Sequence, residues 1–183
     1  MGTIKSAWVR PVTRGRWYTA KVLVAAGIVS ELLLMAIIVT VALAVIRLGF
    51  TDLMEKNYTV HTSGSLTGRF ILTVGLTVWT MWATTAFAAM LAAMFKHAGG
   101  AIAAGLAAGV AMMVLGAIPP LRPLLLTTHI SLPWEQMIAM SKGLPLPAEW
   151  GDLVWRTVAG AGAWLAVSFF IGQRVIRAKQ ITN

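Results

Sequence analysis

Cysteine is absent from the chain, which excludes a disulfide framework and any cysteine-ligated metal site. The absence says little about compartment. Charge is scarce too. Asp, Glu, Lys and Arg make up 11% of the 183 residues, and 58% are hydrophobic. A soluble domain covers itself with about 25% charged residues, so this balance suits lipid rather than water. Acidic residues are the scarcest group, 6 against 15 basic, for a formal charge of +9. In a nucleic-acid-binding protein that excess gathers into a soluble basic patch. Here the basic residues sit at the ends of apolar runs, so nucleic acid is excluded as a partner.

Chemical motifs are equally sparse. There is no G-x-x-x-x-G-K-[ST] loop, so nucleotide phosphates are not held that way. The histidines, His61, His97 and His129, lie far apart, and the topology below puts His97 on the opposite side from the other two. A three-histidine metal site is therefore not expected. The ten methionines are scattered through apolar runs and read as packing residues rather than soft-metal ligands. No catalytic, metal-binding or cofactor-binding residue is assigned. Asn57-Tyr58-Thr59 matches a glycosylation sequon, a pattern short enough to arise by chance.

What the chain does have is long apolar runs. A helix rises about 1.5 Å per residue, so the roughly 30 Å hydrocarbon core takes about 20 residues to cross. Four runs approach or exceed that length: Val22 to Ile46, Phe70 to Phe95, Ala101 to Ile118 and Leu153 to Ile171. Backbone groups in lipid must bond within the segment, so these runs are predicted helices. The first has too long a basic leader and too long a core for a signal peptide. The fold class is thus an all-α integral membrane protein, one transmembrane domain over residues 1–183.

The flanks orient the spans. Lys5, Arg10, Arg14, Arg16, Lys21, Lys96, Arg174, Arg177 and Lys179 fall on one side, with no acid among them. Arg47, Lys56, Arg69, Arg122, Lys142 and Arg156 fall on the other, with Asp52, Glu55, Glu135, Glu149 and Asp152. Positive loops stay in the cytoplasm, so both termini are expected inside. Trp8, Trp17 and Tyr18 then suit an inner interfacial belt, and Trp134, Trp150 and Trp155 an outer one.

Within the spans, Trp79, Trp82 and Trp164 read either as packing residues or as a substrate-facing aromatic surface. Glu31 lies near mid-membrane, where a carboxylate costs about 2.5–3.5 kcal/mol on insertion scales. It is either a substrate or proton contact or a hydrogen-bonded packing residue near Ser30. Glu31, Trp79 and Trp82 are accordingly the candidate pathway residues. Gly105 and Gly109, with Ala101, Ala104 and Ala108, predict a close helix approach, within one chain or between two. Residues 119–151 are too polar and proline-rich to cross. Leu132 to Met140 is expected as a short helix on the outer surface, with Pro133 in its first turn.

The beginning is the most informative stretch. Ile4, Trp8 and Val12 recur four apart, giving an apolar face opposite a basic one. Pro11 disfavours helix at Arg10, and Thr13 can cap the helix that becomes the first span. The result is an amphipathic elbow over residues 2–21, a surface anchor or a docking site for a partner.

These residues carry a resemblance. GTIKSAWVRPVTRGRWYTAKVL, from Gly2, resembles the segment that follows the second span of ABC-2 type transporter permeases. That family shows a Gly-Thr pair, then an apolar-Pro-Val-Ser/Thr-Arg-Gly stretch, then a Lys opening the next helix. Gly2, Thr3, Pro11, Val12, Thr13, Arg14, Gly15 and Lys21 occupy those positions. The later layout is similar, with a basic turn at Ala92 to Gly100, an outer interfacial segment and a basic tail from Arg174. The resemblance implies the membrane subunit of an ATP-driven exporter with no ATPase site or cofactor of its own. Trp8, Arg10, Pro11, Val12, Thr13, Arg14 and Gly15 would form the coupling elbow for a separate ABC-type ATP-binding subunit. A second permease chain, identical or different, would complete the pathway. The chain departs from the family in lacking the two spans that usually precede this motif. That leads to the expectation of a truncated, mis-started or divergent short permease without independent transport activity. Two other classes stay open: a noncatalytic membrane scaffold or immunity-type protein, and a small membrane enzyme using Glu31 with a histidine.

Overall fold

The computed structural model describes residues 13–48, 53–55, 58–142, 144 and 150–178. Five α-helices carry the fold: α1 Arg14–Leu48, α2 Ser63–Met94, α3 Ala98–Leu115, α4 Leu126–Ser141 and α5 Trp150–Ala178. Two short strands, β1 Leu53–Glu55 and β2 Tyr58–His61, pair antiparallel between α1 and α2. Four of the helices, α1, α2, α3 and α5, are long and apolar enough to cross a membrane. The chain is a multi-span helical membrane protein.

Each predicted run is found: α1 and α5 extend beyond theirs at both ends, α2 starts earlier and ends one residue sooner, and α3 keeps its length but lies three residues earlier. α1 starts at Arg14, not at the apolar residues, and the Trp17 N–H donates to the Thr13 carbonyl at 3.1 Å. Arg14 and Gly15 therefore belong to the same helix as the first span. The rest of the elbow, including Trp8, Arg10, Pro11 and Val12, lies outside the described residues. Several hydroxyls inside the spans bond to their own helix. The hydroxyls of Ser30 and Thr40 each reach the carbonyl four residues back at 2.7 Å, which removes the cost of placing them in lipid. α2 is capped by Thr62, whose hydroxyl accepts from the Ser65 N–H.

The centre of the bundle is the α2–α5 pair. Trp79 meets Val158, Ala83 packs with Ala161, Phe87 stacks edge-on to Trp164, and Met90 lies near Gly172. Residue numbers rise together along both helices, so the two run in the same direction. Apart from Leu76, the buried residues of the two helices are small: Thr73, Thr77, Thr80, Ala83, Ala86 and Ala93 on α2, and Thr157, Ala161, Ser168 and Gly172 on α5. Lipid gives no hydrophobic drive between helices, so association depends on backbones approaching closely, as these residues allow. Thr77, Thr80 and Thr157 satisfy their hydroxyls on carbonyls of their own helices.

The first third of α1 completes this core through Tyr18, Val22 and Ala26. Tyr18 corrects the belt assignment. It is 3% exposed, packs against Phe169, and rests on Gly172 in space that any Cβ would fill. Trp17 keeps the interfacial role, half exposed with Lys21 Nζ 3.8 Å from its ring centre. Beyond Ala26, α1 carries no buried residue among those described, and α3 carries none at all. The starting end of α1 lies beside the final turns of α5, where Gln173 Nε2 donates to Thr19 Oγ1 at 3.3 Å. The start of α1 and the end of α5 thus lie on one side of the bundle, the terminal end. The strand pair and the start of α2 mark the other, the hairpin end.

Candidate functional site

The outer segment is where structure and expectation differ most. α3 stops at Gly116, and Pro119, Pro120 and Pro123 prevent its resumption, because proline lacks the N–H and clashes with the preceding turn. A series of tight turns and a short 3-10 turn at Arg122–Leu124 follow. The chain then re-enters a helix, α4, of 16 residues instead of the short Leu132 to Met140 helix. Pro133 lies in its interior rather than its first turn. Without an N–H there, the His129 carbonyl loses its usual helical donor.

α4 does not lie flat on the surface. Leu126 is 3% exposed among Ala83 and Ala161, the Trp134 indole donates to Thr77 Oγ1 at 2.9 Å, and Met140 lies beside Arg69. These contacts run α4 along α2 toward the hairpin end. They also correct Trp134, which packs on α2 and edge-on to Phe70 instead of standing in a belt. Ala83 lies about 30 Å along α2 from Ser63, at 1.5 Å per residue. The break between α3 and α4 therefore sits about two-thirds of the way along α2 and beside the middle of α5. There the Leu124 carbonyl accepts from the Trp164 indole at 2.8 Å.

Irregular backbone at this depth is tolerated where protein buries it or where it lines a wet cavity. Most residues of the break are exposed, so the cavity it lines is the condition that applies here. The break walls one side of a cavity of about 550 Å³, with α4 and the start of α5 forming the others. Its polar lining is Arg122, Thr128, His129, Asp152, Arg156 and Thr157. Arg122 is anchored to Glu135 of α4 at 3.3 Å, both half exposed. Asp152 and Arg156 stand four residues apart, on one face of α5. His129 is 5% exposed, and its ring bonds to the Pro123 backbone. Burial holds the imidazole below its ordinary range, and the Pro123 bond pulls weakly the other way. Its Nε2 has no hydrogen-bond partner and points at Gly160, where it occupies the position of a Cβ. The cavity can thus offer two guanidinium groups, a carboxylate and hydroxyls to a polar solute.

The pathway candidates from sequence are arranged differently. Trp79 donates to the Val158 carbonyl at 3.0 Å and Trp82 to Ser30 Oγ at 2.7 Å, with the two rings 6.5 Å apart. They form a ladder tying α1 to α2 to α5, so both serve packing. Glu31 follows Ser30 on α1 but faces outward and is exposed. Gly105 faces Leu91 of α2, yet nothing lies within 4 Å of a Cβ built at Gly109. The close approach expected at this pair is not made there within the chain. It occurs at Gly160 and Gly172, which sequence reading passed over. The available signal was the helical spacing of Thr157, Ala161, Ser168 and Gly172. His97 precedes α3 at the terminal end, away from His129.

The family model described as "Protein of unknown function (DUF2705)" matches residues 1–180. The chain belongs to that family. No curated protein and no solved structure matches it. The DUF2705 match takes in all four spans, the broken α3–α4 element and the cavity lining.

Proposed function

We propose that the chain is the membrane-spanning permease subunit of an ATP-driven transporter of the ABC-2 type, working as an exporter with a separate ATP-binding subunit. The observation that carries this reading is the break between α3 and α4. It opens a polar cavity lined by Arg122, His129 and Arg156 between α4 and the first turns of α5, at the hairpin end of the bundle. Charged groups gathered at a broken helix of a membrane bundle serve a solute or ion path better than a role of filling or anchoring to lipid. Broken helices with polar groups are a recurrent way to build a solute path.

In this reading the terminal end faces the cytoplasm and the prokaryotic plasma membrane holds the spans. The elbow motif supports the assignment. Arg14 and Gly15 open α1, which runs unbroken to the Ser30–Trp82 contact, so motion at the elbow would be carried along a rigid helix. A second permease chain would meet the faces of α1 and α3 that carry no buried residue. Glu31 lies on that part of α1 and would there find polar partners.

The test is reconstitution. Coexpressed with an ABC-type ATPase subunit from the same source, the chain should copurify with it and support ATP-dependent efflux from vesicles. Efflux should fall on Arg156→Gln while copurification persists. An ATPase that never copurifies, under conditions where the chain is folded, would remove the transporter reading in favour of a noncatalytic membrane scaffold.

A further inference from the structure

A second polar cavity, of about 590 Å³, lies at the terminal end between the start of α1 and the last turns of α5. Its lining includes Thr13, Arg16, Thr19, Leu23, Gln173 and Arg177. A relay of hydrogen bonds fixes its wall. Arg177 donates to Gln173 Oε1 at 3.2 Å, Gln173 Nε2 donates to Thr19 Oγ1 at 3.3 Å, and Thr19 Oγ1 donates to the Gly15 carbonyl at 3.0 Å. The Arg177 guanidinium is thereby laid against the first turn of α1, with Nε 3.3 Å from where a Gly15 Cβ would stand.

This is an unfavourable place for a cation. A helix start carries about half a positive charge, and its first N–H groups have no partner within the helix. No acidic residue stands in the first turn of α1 to offset it. Among the described residues, no acid lines the cavity. Arg16, Arg177 and the helix start thus converge from two elements on one space that only an anion would relieve.

The cavity's level in the membrane identifies the anion. Trp17, half exposed under the Lys21 ammonium, marks the interface one turn into α1. Leu23 continues the cavity wall toward the apolar span. A ligand here meets guanidinium groups and hydroxyls at its head and hydrocarbon at its tail. We propose that this cavity binds an anionic phospholipid. Arg16 and Arg177 take the phosphate, Thr13, Thr19 and Gln173 supply further hydrogen bonds, and the start of an acyl chain lies along Leu23. Guanidinium matches phosphate bidentately, and basic pockets between spans commonly hold such headgroups. The assignment does not depend on the permease reading.

The test uses the full chain in nanodiscs of phosphatidylglycerol mixed with phosphatidylcholine, with native mass spectrometry counting retained lipid. The wild type should retain phosphatidylglycerol selectively. Arg16→Gln with Arg177→Gln should lower that retention roughly thirtyfold, the scale for removing two basic contacts near a membrane surface. Lys96→Gln removes an exposed charge at the same end but outside the cavity and should change little. Equal losses from Lys96→Gln and the double variant would reduce the effect to general surface attraction and overturn the site. Excess inorganic phosphate should leave the lipid bound. Complete displacement would assign the cavity to a soluble phosphate compound and overturn the lipid assignment. Where the double variant does not fold, Thr19→Val cuts the relay without changing charge. A wild-type melting midpoint higher in phosphatidylglycerol than in phosphatidylcholine, with the difference lost in Thr19→Val, supports the site. No lipid-dependent difference in the wild type overturns it.

Discussion

The imidazole of His129 rests on the bare backbone of Gly160, with Nε2 in the space a Cβ would take. This contact joins α4 to α5 and sets the depth at which the α3–α4 break sits. A methyl group at position 160 would have to displace a buried ring that is also tied to the Pro123 backbone. Gly160→Ala should therefore destabilise the protein by about 1–3 kcal/mol, the usual cost of overpacking. Thermal unfolding in detergent measures it. His129→Ala should also destabilise, and the double variant should recover part of the loss, because the two changes share one contact. Strictly additive losses would show that the ring does not lie there.

The tryptophans make a second, separable contribution. Trp79, Trp82, Trp134 and Trp164 each donate an indole N–H to another element. Trp→Phe keeps the ring and deletes the donor. Interhelical hydrogen bonds in membranes are worth about 0.6 kcal/mol on average, reaching about 1.7 kcal/mol. Trp164→Phe should fall at the upper end, since it strands the Leu124 carbonyl at the break. Trp155, 71% exposed, is the control and should tolerate Phe without loss. Similar melting points for the two variants would show that the break does not depend on Trp164.

The packing of Gly15 against Arg177 sets the start of α1 and the end of α5 on one side, and the excess of basic residues in the flanks there predicts that side to be cytoplasmic. A reporter fused after Asn183 should be active only in the cytoplasm. A thiol label introduced at Asn57 should react with an impermeant reagent from outside. External labelling at position 183 would invert the orientation.

The spans were legible because each is a long apolar run, and lipid leaves such a run no alternative to helix. α4 was not, although its pattern is present. Its buried residues Leu126, His129, Pro133 and Met140 follow helical spacing. Pro133 drew the predicted start to the wrong turn, and the polar residues around it suggested a surface location. Tyr18 was misread for a related reason. An aromatic residue at a span end suits an interfacial belt, and only the distant Gly172 makes it a core residue. Contacts of this kind depend on which helices become neighbours, and no local window contains that. Gly105 and Gly109 show the converse. A local packing motif need not meet a partner within its own chain, which leaves α3 a face for another one.

The permease reading assigns different tasks to the two ends of the molecule, and substitutions should separate them. Trp8→Ala, or charge reversal at Arg14, acts at the elbow. If the elbow docks an ATPase, either change should weaken copurification and uncouple hydrolysis from transport while leaving insertion intact. Loss of a buried aromatic anchor commonly costs about 2 kcal/mol or more, roughly thirtyfold in affinity. Arg156→Gln and Arg122→Gln act at the cavity, at the far end of the spans, and touch no docking surface. They should leave copurification unchanged. Their effect should appear in efflux alone, as a raised half-saturation for a solute that the guanidinium groups contact, or as a lowered maximal rate if they act only at release. Arg122→Gln should also free Glu135, so Glu135→Gln on its own should reproduce part of its effect if the pair serves to hold α4 in place. A lipid-anchoring elbow predicts a different pattern, with small losses that follow the number of positive charges removed, whichever residue is changed. If Trp8→Ala binds the ATPase normally and the cavity variants transport normally, the permease assignment fails at both ends.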